Sequence, residues 1–309
     1  MSPGGQVSVA KDSFLAVVNP AAGGGRCRKL VGPVLEQLRG AGIALEVAET
    51  TSPGQGIELA RDAYRRGYRR FIAVGGDGTS YEIVNGLFPE ALGGEPPTLA
   101  FLPLGTGNSF LREFSDRGVD FALEALLAHR SQPCDVLRLA HKDGVIHYIN
   151  LLSVGFTADV ATLRARRFSG WGELGYQSAI FICLARFRRR PFPLRVDDDK
   201  QIDRRPCLFL TFNNSKFTGG TMMIAPKAAV NDGLIEFVRW GPIGRVGLIR
   251  NLPTLYDGTH IEHPLAERRE AKRIEFHLPA PVDVMVDGEV LTLHCETLDV
   301  LPSALQVVV

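Results

Sequence analysis

The run Gly75-Gly76-Asp77-Gly78-Thr79-Ser80-Tyr81-Glu82 sets one carboxylate inside a glycine loop. Before it, the apolar tetrad Phe71-Ile72-Ala73-Val74 suits a buried strand, and after it Ile83, Val84 and Leu87 recur at helical spacing. Glycines let the chain turn sharply and bring its N–H groups against a ligand, while a helix N-terminus attracts anions. Asp77 alone would repel a phosphate. The combination makes chemical sense when a divalent cation such as Mg²⁺ lies between carboxylate and phosphate oxygens. Thr79 with Glu82 three residues on forms a capping-box pattern, which predicts that the helix begins there.

A second glycine loop, Leu102-Pro103-Leu104-Gly105-Thr106-Gly107-Asn108-Ser109-Phe110, also follows an apolar run. Thr106 can donate to a phosphate oxygen, and Asn108 can cap a helix or position a nucleotide. Taken alone, the loop is equally an ordinary glycine-rich turn. Asn19-Pro20 leading to Gly23-Gly24-Gly25 is a third, weaker signal that fits neither a dinucleotide fingerprint nor a P-loop. Asp232-Gly233 and Asp287-Gly288 read as hairpin turns, and such turns can also project a carboxylate into a cleft. His260 and His263 lack an acidic partner in sequence and suggest a structural role. The absence of Gly-x-Ser-x-Gly and His-Glu-x-x-His disfavours a serine hydrolase or a zincin.

These residues need elements to hold them. A chain of 309 residues, 45% apolar, can bury a sizeable core and suggests two domains. From Phe14 to about His129, strands at 14–18, 43–48, 71–74 and 98–102 alternate with helices near 27–40, 54–67, 79–88, 108–113 and 118–129. That alternation predicts an α/β domain with a mainly parallel sheet and a ligand site in the loops at the strand ends. From Asp135 onward, short strands at 135–140, 145–152, 207–213, 234–239, 272–278, 282–286 and 289–295 predict an antiparallel sandwich or barrel. Helical segments at 157–188 and 244–257 interrupt it, the second kinked or broken at Pro253. The expected division is 1–131 and 132–309, and the final strand, 305–309, is free to return to either sheet.

Lysine plus arginine number 35 against 34 acids, so overall charge gives no reason to expect a nucleic-acid partner. The cysteines at 27, 134, 183, 207 and 295 are scattered and odd in number, as expected of reduced thiols in the cytoplasm. The first thirteen residues read as a loose leader without a secretory signal. The apolar stretch Ala179 to Ala185 is too short to span a bilayer, so membrane contact would be peripheral. Between 164 and 192, Arg164, Arg166, Arg167, Arg186, Arg188, Arg189 and Arg190 surround Phe168, Trp171, Phe187 and Phe192. Such a segment suits either a membrane-facing patch or a solvated basic face.

Gly75-Gly76-Asp77-Gly78-Thr79 with Glu82 and Asn85-Gly86 resembles the nucleotide signature of the diacylglycerol kinase catalytic-domain family, which includes bacterial lipid kinases, sphingosine kinases and ceramide kinases. The likeness continues in family order through Pro103–Asn108, Gly155-Phe156, Gly219-Gly220, Ala225-Pro226, Asn231-Asp232-Gly233-Leu234 and Val286-Asp287-Gly288-Glu289. It implies a Rossmann-like N-terminal nucleotide domain, a C-terminal β-sandwich domain and an active site in the cleft between them. It also implies an ATP-dependent lipid kinase working at a membrane surface. By match, ATP would meet Asn19, Thr51, Gly75, Gly76, Asp77, Gly78, Thr79, Glu82, Gly105, Thr106 and Asn108. Asp77 and Asp135 would hold the catalytic Mg²⁺, largely through water. Asp232, with the carbonyls of Ala229 and Leu234, would hold a structural Mg²⁺. Asp287 would take the proton from the lipid hydroxyl, with Glu289 the nearby alternative.

Three positions depart from the pattern. Ser109 stands where many bacterial diacylglycerol kinases have an aspartate, and Asn231 replaces a frequent aspartate. Ala161 stands where sphingosine kinases place an acid suited to the substrate's ammonium group, which disfavours a sphingoid base. An NAD-kinase-like soluble kinase shares the Gly-Gly-Asp-Gly loop and is the alternative enzyme, although the second loop and Val-Asp-Gly-Glu favour the lipid branch. A nucleotide- or lipid-binding module with little catalysis is the alternative outside enzymes. The oligomeric state is left open.

Overall fold

The structure, a computed structural model, describes residues 13–105, 107–167, 182–183 and 189–309. It divides into two compact units, the chain up to Pro133 with Ala304–Val309, and Cys134–Ser303.

The first unit is built on β1 (Phe14–Val18), β2 (Leu45–Glu49), β3 (Arg70–Val74) and β4 (Thr98–Leu102), with helices α1 (Arg26–Gly40), α2 (Gln55–Arg65), α3 (Asp77–Leu87) and α4 (Val119–Leu127). The strands lie in the order β2-β1-β3-β4, all parallel. Gln306 and Val307, near the end of the chain, add a further parallel ladder against Thr98 and Leu99. β1 is buried at all five positions, as a central parallel strand must be when helices cover both faces. The edge strand β2 is mostly accessible. The chain leaves β1 toward β2 on one side and returns to β3 on the other, so the β1/β3 junction is a topological switch point. In open α/β sheets ligands bind there, outside the carboxyl ends of the strands.

Two expectations for this unit change. α3 begins at Asp77, two residues before the anticipated cap, and Thr79 donates its backbone N–H to Gly76 rather than closing a capping box. The expected helix at 108–113 is only a 3₁₀ turn, Leu111–Glu113, because the residues before it are drawn toward Asp77.

The second unit contains β5 (Ser131–His141), β6 (Gly144–Tyr148), β7 (Leu151–Gly155), α5 (Phe156–Arg167), β8 (Arg190–Pro191), β9 (Leu194–Val196), β10 (Pro206–Cys207) and β11 (Phe209–Asn213). It continues with β12 (Phe217–Thr218), β13 (Met222–Met223), β14 (Ile235–Trp240), β15 (Ala266–Ala271), β16 (Arg273–Phe276), β17 (Val282–Val286), β18 (Glu289–Leu293) and β19 (Cys295–Val308). One sheet runs β15-β14-β11-β7-β17-β18, antiparallel throughout. In the other, β5 pairs with β6 and β19, and β16 bridges β19 and β9. Phe212 of β11 meets Phe276 of β16 edge to face, with ring centroids 5.3 Å apart, so the two sheets pack as a sandwich rather than close as a barrel.

The strand expected at 145–152 is broken at Ile149-Asn150, where the backbone turns its N–H groups to a carboxylate described below. Of the helical stretch 157–188, α5 accounts for Phe156–Arg167, and most of the remainder lies outside the described residues. The stretch 244–257 separates into helices Arg245–Asn251 and Thr254–Asp257, with Pro253 at the start of the second, where its missing N–H costs nothing.

Candidate functional site

Three glycine loops converge at the carboxyl ends of β1, β3 and β4. Asn19 donates its N–H to Val74 (3.0 Å), Gly75 to Leu102 (3.1 Å), Gly105 to Gly75 (2.8 Å) and Asp77 to Gly107 (3.0 Å). The approach is backbone on backbone. A Cβ on Gly76 would lie 2.7 Å from the Gly107 carbonyl, and one on Gly105 would lie 3.0 Å from the Gly75 carbonyl carbon. The weakest sequence signal, Asn19–Gly25, joins the same cluster, since a Cβ on Gly23 would lie 3.2 Å from the Leu104 carbonyl.

Asp77 occupies the first turn of α3, where the helix dipole favours an anion. Its carboxylate accepts the Ser109 N–H at 2.9 Å and the Phe110 N–H at 3.5 Å. Burial pushes this carboxyl up, and hydrogen bonds from the Ser109 and Phe110 backbone and the Ser109 side chain oppose it. Ser109 therefore donates to Asp77, where a second aspartate would repel it. Thr79 is buried, and among the described residues its hydroxyl oxygen has no hydrogen-bond partner. A recess lined by Gly75, Gly76, Asp77, Ser80, Pro103 and Asn108 opens beside these groups. A carboxylate and an unpartnered hydroxyl on glycine-rich backbone form a hard-oxygen donor set that fits Mg²⁺ and a phosphate. Gly78 lies half-buried in the same turn, and Thr106 lies outside the described residues.

Glu82 does something the capping-box pattern did not suggest. Its two carboxylate oxygens accept the N–H groups of Gly54 and Gly56, each at 2.8 Å, so it satisfies the open amino end of the neighbouring helix α2. Gly86 lets α3 approach α2 closely, for a Cβ there would lie 2.4 Å from the Ile57 carbonyl. Thr51, exposed beyond β2, donates both its N–H and its hydroxyl to Gln55 Oε1.

In the second unit the acidic residues are more heavily committed to backbone. Asp135 is fully buried, and its oxygens accept the N–H groups of Gly233 and Ser303, each at 2.7 Å. Its own N–H donates to Val230. The two carboxylate hydrogen bonds pin the 230–233 loop and the Ser303 backbone. Asp232, on that loop, accepts the Leu234 N–H; burial, and after it the nearby Asp135, raise its carboxyl, and the Leu234 hydrogen bond opposes them. Asp232-Gly233 is thus a loop rather than a hairpin turn, and Ala229 and Leu234 flank it with carbonyls of the right type for a hard cation.

Asp287-Gly288 is a true two-residue hairpin between β17 and β18, with Val286 opposite Glu289 and both turn residues at positive φ (46° and 92°). The buried Asp287 carboxylate accepts three backbone N–H groups, from Ile149 (3.0 Å), Asn150 (3.1 Å) and Leu151 (2.9 Å). These three hydrogen bonds tie the hairpin to the break between β6 and β7. Glu289, the next turn-flanking acid, is exposed. The buried Asn150, Asn214 and Ser215 complete this polar centre. Asn214 donates to the Asp135 and Ile149 carbonyls, and Ser215 donates to Asn150. The polar run Asn213-Asn214-Ser215 after the apolar β11 was the signal that could have revealed them.

His260 is structural. Its ring nitrogens face the carbonyls of Thr254 and Ile224, and burial holds its pKa down. Among the described residues no three His, Cys, Asp or Glu side chains gather as a metal cluster.

A parallel α/β unit with phosphate-type glycine loops at its switch point, and a β-sandwich unit, define the lipid and NAD kinase class of fold. Residues 13–139 match the diacylglycerol kinase catalytic domain, and residues 150–309 match the YegS C-terminal NAD kinase beta sandwich-like domain. The chain belongs to the diacylglycerol kinase catalytic-domain family of lipid kinases. It is 32% identical over 234 residues to a probable lipid kinase YegS-like of Chromohalobacter salexigens, covering 74% of this chain and 70% of that one. A diacylglycerol kinase of Mycobacterium tuberculosis is 26% identical over 296 residues, covering 94% and 93%. A crystal structure of a diacylglycerol kinase from Bacillus anthracis shares the fold, with a TM-score of 0.67 at 20% identity and 96% of each chain covered.

Proposed function

We propose that this protein is an ATP- and Mg²⁺-dependent lipid kinase that phosphorylates the free hydroxyl of diacylglycerol. The observation that carries the reading is the convergence of three glycine loops on Asp77 and on the Thr79 hydroxyl at the start of α3, which has no partner among the described residues. The relatives named diacylglycerol kinase support the glycerolipid acceptor, as does Ala161 in place of an acid for an ammonium group. Among the described residues no helix is long and apolar enough to cross a membrane, which agrees with peripheral access to a lipid.

In this reading the glycine loops cradle the triphosphate with backbone dipoles, and Thr79 donates its hydroxyl to a phosphate oxygen. Asp77 and Thr79 offer the oxygen ligands for Mg²⁺, which when bound neutralises phosphate charge during transfer. Glu82 acts indirectly by fixing α2 against α3. The exposed Glu289 takes the proton of the lipid hydroxyl. The lipid oxygen bonds to the γ-phosphorus, the bond to the β,γ-bridging oxygen breaks, and ADP leaves. Asp287 holds the hairpin that presents Glu289. Asp232, with the Ala229 and Leu234 carbonyls, is the proposed place for a structural Mg²⁺, on a loop that Asp135 pins.

The test is transfer of label from [γ-³²P]ATP to diacylglycerol in detergent micelles, run beside NAD as the alternative acceptor. Labelled phosphatidic acid formed only with Mg²⁺ is expected. Labelled NADP instead would replace the lipid with a dinucleotide, and ATP binding without transfer to either acceptor would make the protein a binding module.

A further inference from the structure

We infer that the outer face of helices Arg245–Asn251 and Thr254–Asp257 is the surface by which the protein seats on an anionic phospholipid bilayer, an inference that rests on the lipid-kinase reading. This short segment is apolar on two sides. Leu248 and Leu255 turn inward to the core beside Trp240 and Ile243. Val246 and Ile249 stand outward, 64% and 57% exposed, and at a spacing of three they share one helix face. Tyr256 in the following helix and Leu265 are also exposed. Leu265 belongs to the same neighbourhood, since its carbonyl accepts the Gly241 N–H at 2.7 Å, just before the first helix.

A surface helix ordinarily gives its outer face to polar side chains, and β-branched Val and Ile gain nothing for helix stability when exposed. Exposed aliphatic residues are useful when the face meets an apolar medium. The charges around them identify that medium. Arg245 and Arg250 are exposed at the two ends of the first helix, and the Arg189 guanidinium lies 3.6 Å from where a Cβ on Gly244 would be. Among the described residues the acids near it in sequence are Asp257, whose carboxylate is turned to the N–H and hydroxyl of Thr259, the exposed Glu262, and Glu267, which is paired with Arg205. Aliphatic side chains flanked by arginines, with a tyrosine ring alongside, match the boundary between acyl chains and anionic headgroups. An acceptor whose acyl chains stay in a bilayer gives the protein reason to dock there. Arg189 comes from the 164–192 basic and aromatic segment, most of which lies outside the described residues.

The test is co-sedimentation of the full chain with phosphatidylcholine vesicles, with and without phosphatidylglycerol. Wild type should bind the anionic vesicles preferentially and release as salt rises. Val246→Asp with Ile249→Asp should weaken binding by about tenfold or more, and Arg245→Gln with Arg250→Gln by about tenfold. Both pairs should keep wild-type turnover on micellar dioctanoylglycerol, which also shows that they fold. Unchanged sedimentation of either pair would overturn the inference. So would a loss of dimer by the aspartate pair in sedimentation velocity with vesicle binding intact, since the face would then join two copies of the chain. Absence of micellar turnover in wild type would overturn the kinase reading and leave the docking surface standing, because sedimentation reads binding alone.

Discussion

Asp77 and Asp287 are both carboxylates beside a glycine at the end of a buried strand, yet the two units use them differently. Asp77 receives two backbone N–H groups, one of them at 3.5 Å, and burial leaves its carboxyl raised. Asp287 receives three well-formed ones and sits at positive φ in a two-residue turn. A buried carboxylate at a helix N-terminus, next to a hydroxyl with no partner among the described residues, gains from a cation, whereas one tied to three backbone N–H groups gains from staying where it is. The same residue type is a ligand candidate in one unit and an anchor of a turn in the other, and the setting, a helix N-terminus or a hairpin, distinguishes them.

The sharpest way to break that comparison is Asp77→Asn, which should lower lipid phosphorylation by about a thousandfold while leaving the melting temperature near wild type. Wild-type turnover of this variant would remove Asp77 from the chemistry. Glu289→Gln should lower kcat by about a hundredfold at unchanged ATP affinity, measured by initial rates and calorimetry. Asp287→Asn should act on stability instead, because its amide would present a donor to an N–H group. A loss of about 3 kcal/mol in denaturant unfolding is expected. Lost turnover at full stability would restore Asp287 as the base.

A subtler contrast is in pH. The His147 pKa is pulled from 6.5 to about 4 by burial and, secondarily, by Arg138. A depressed histidine contributes stability that is fully present above 6.5 and is lost as pH falls toward about 4. Wild type should therefore lose up to about 3 kcal/mol across that window, and His147→Gln should show a flatter profile by thermal melts over the same range. The smallest effect belongs to Glu82→Gln, which keeps one acceptor for the α2 end and should cost about 1 kcal/mol with a modest rise in KM for ATP.

Much of the architecture was legible in the chain. The strands at 14–18 and 98–102 appear with the anticipated bounds, and 71–74 gains one residue, because unbroken apolar runs between glycines and prolines have few other uses in an α/β unit. The 108–113 helix failed because Gly107 and Ser109 answer to Asp77 rather than to their own neighbours. The 145–152 strand broke for the same kind of reason, with three of its N–H groups taken by Asp287.

Sequence by itself determined the periodic elements, the glycine loops and the family motifs, since each depends on residues within a turn or a strand of one another. Tertiary structure alone decided which carboxylates remain available. Glu82 finds its donors 26 and 28 residues away, and Asp287 finds its donors 136 to 138 residues away. A carboxylate's chemistry depends on the donors and the burial that the fold brings to it, and no local pattern records which distant backbone groups will arrive.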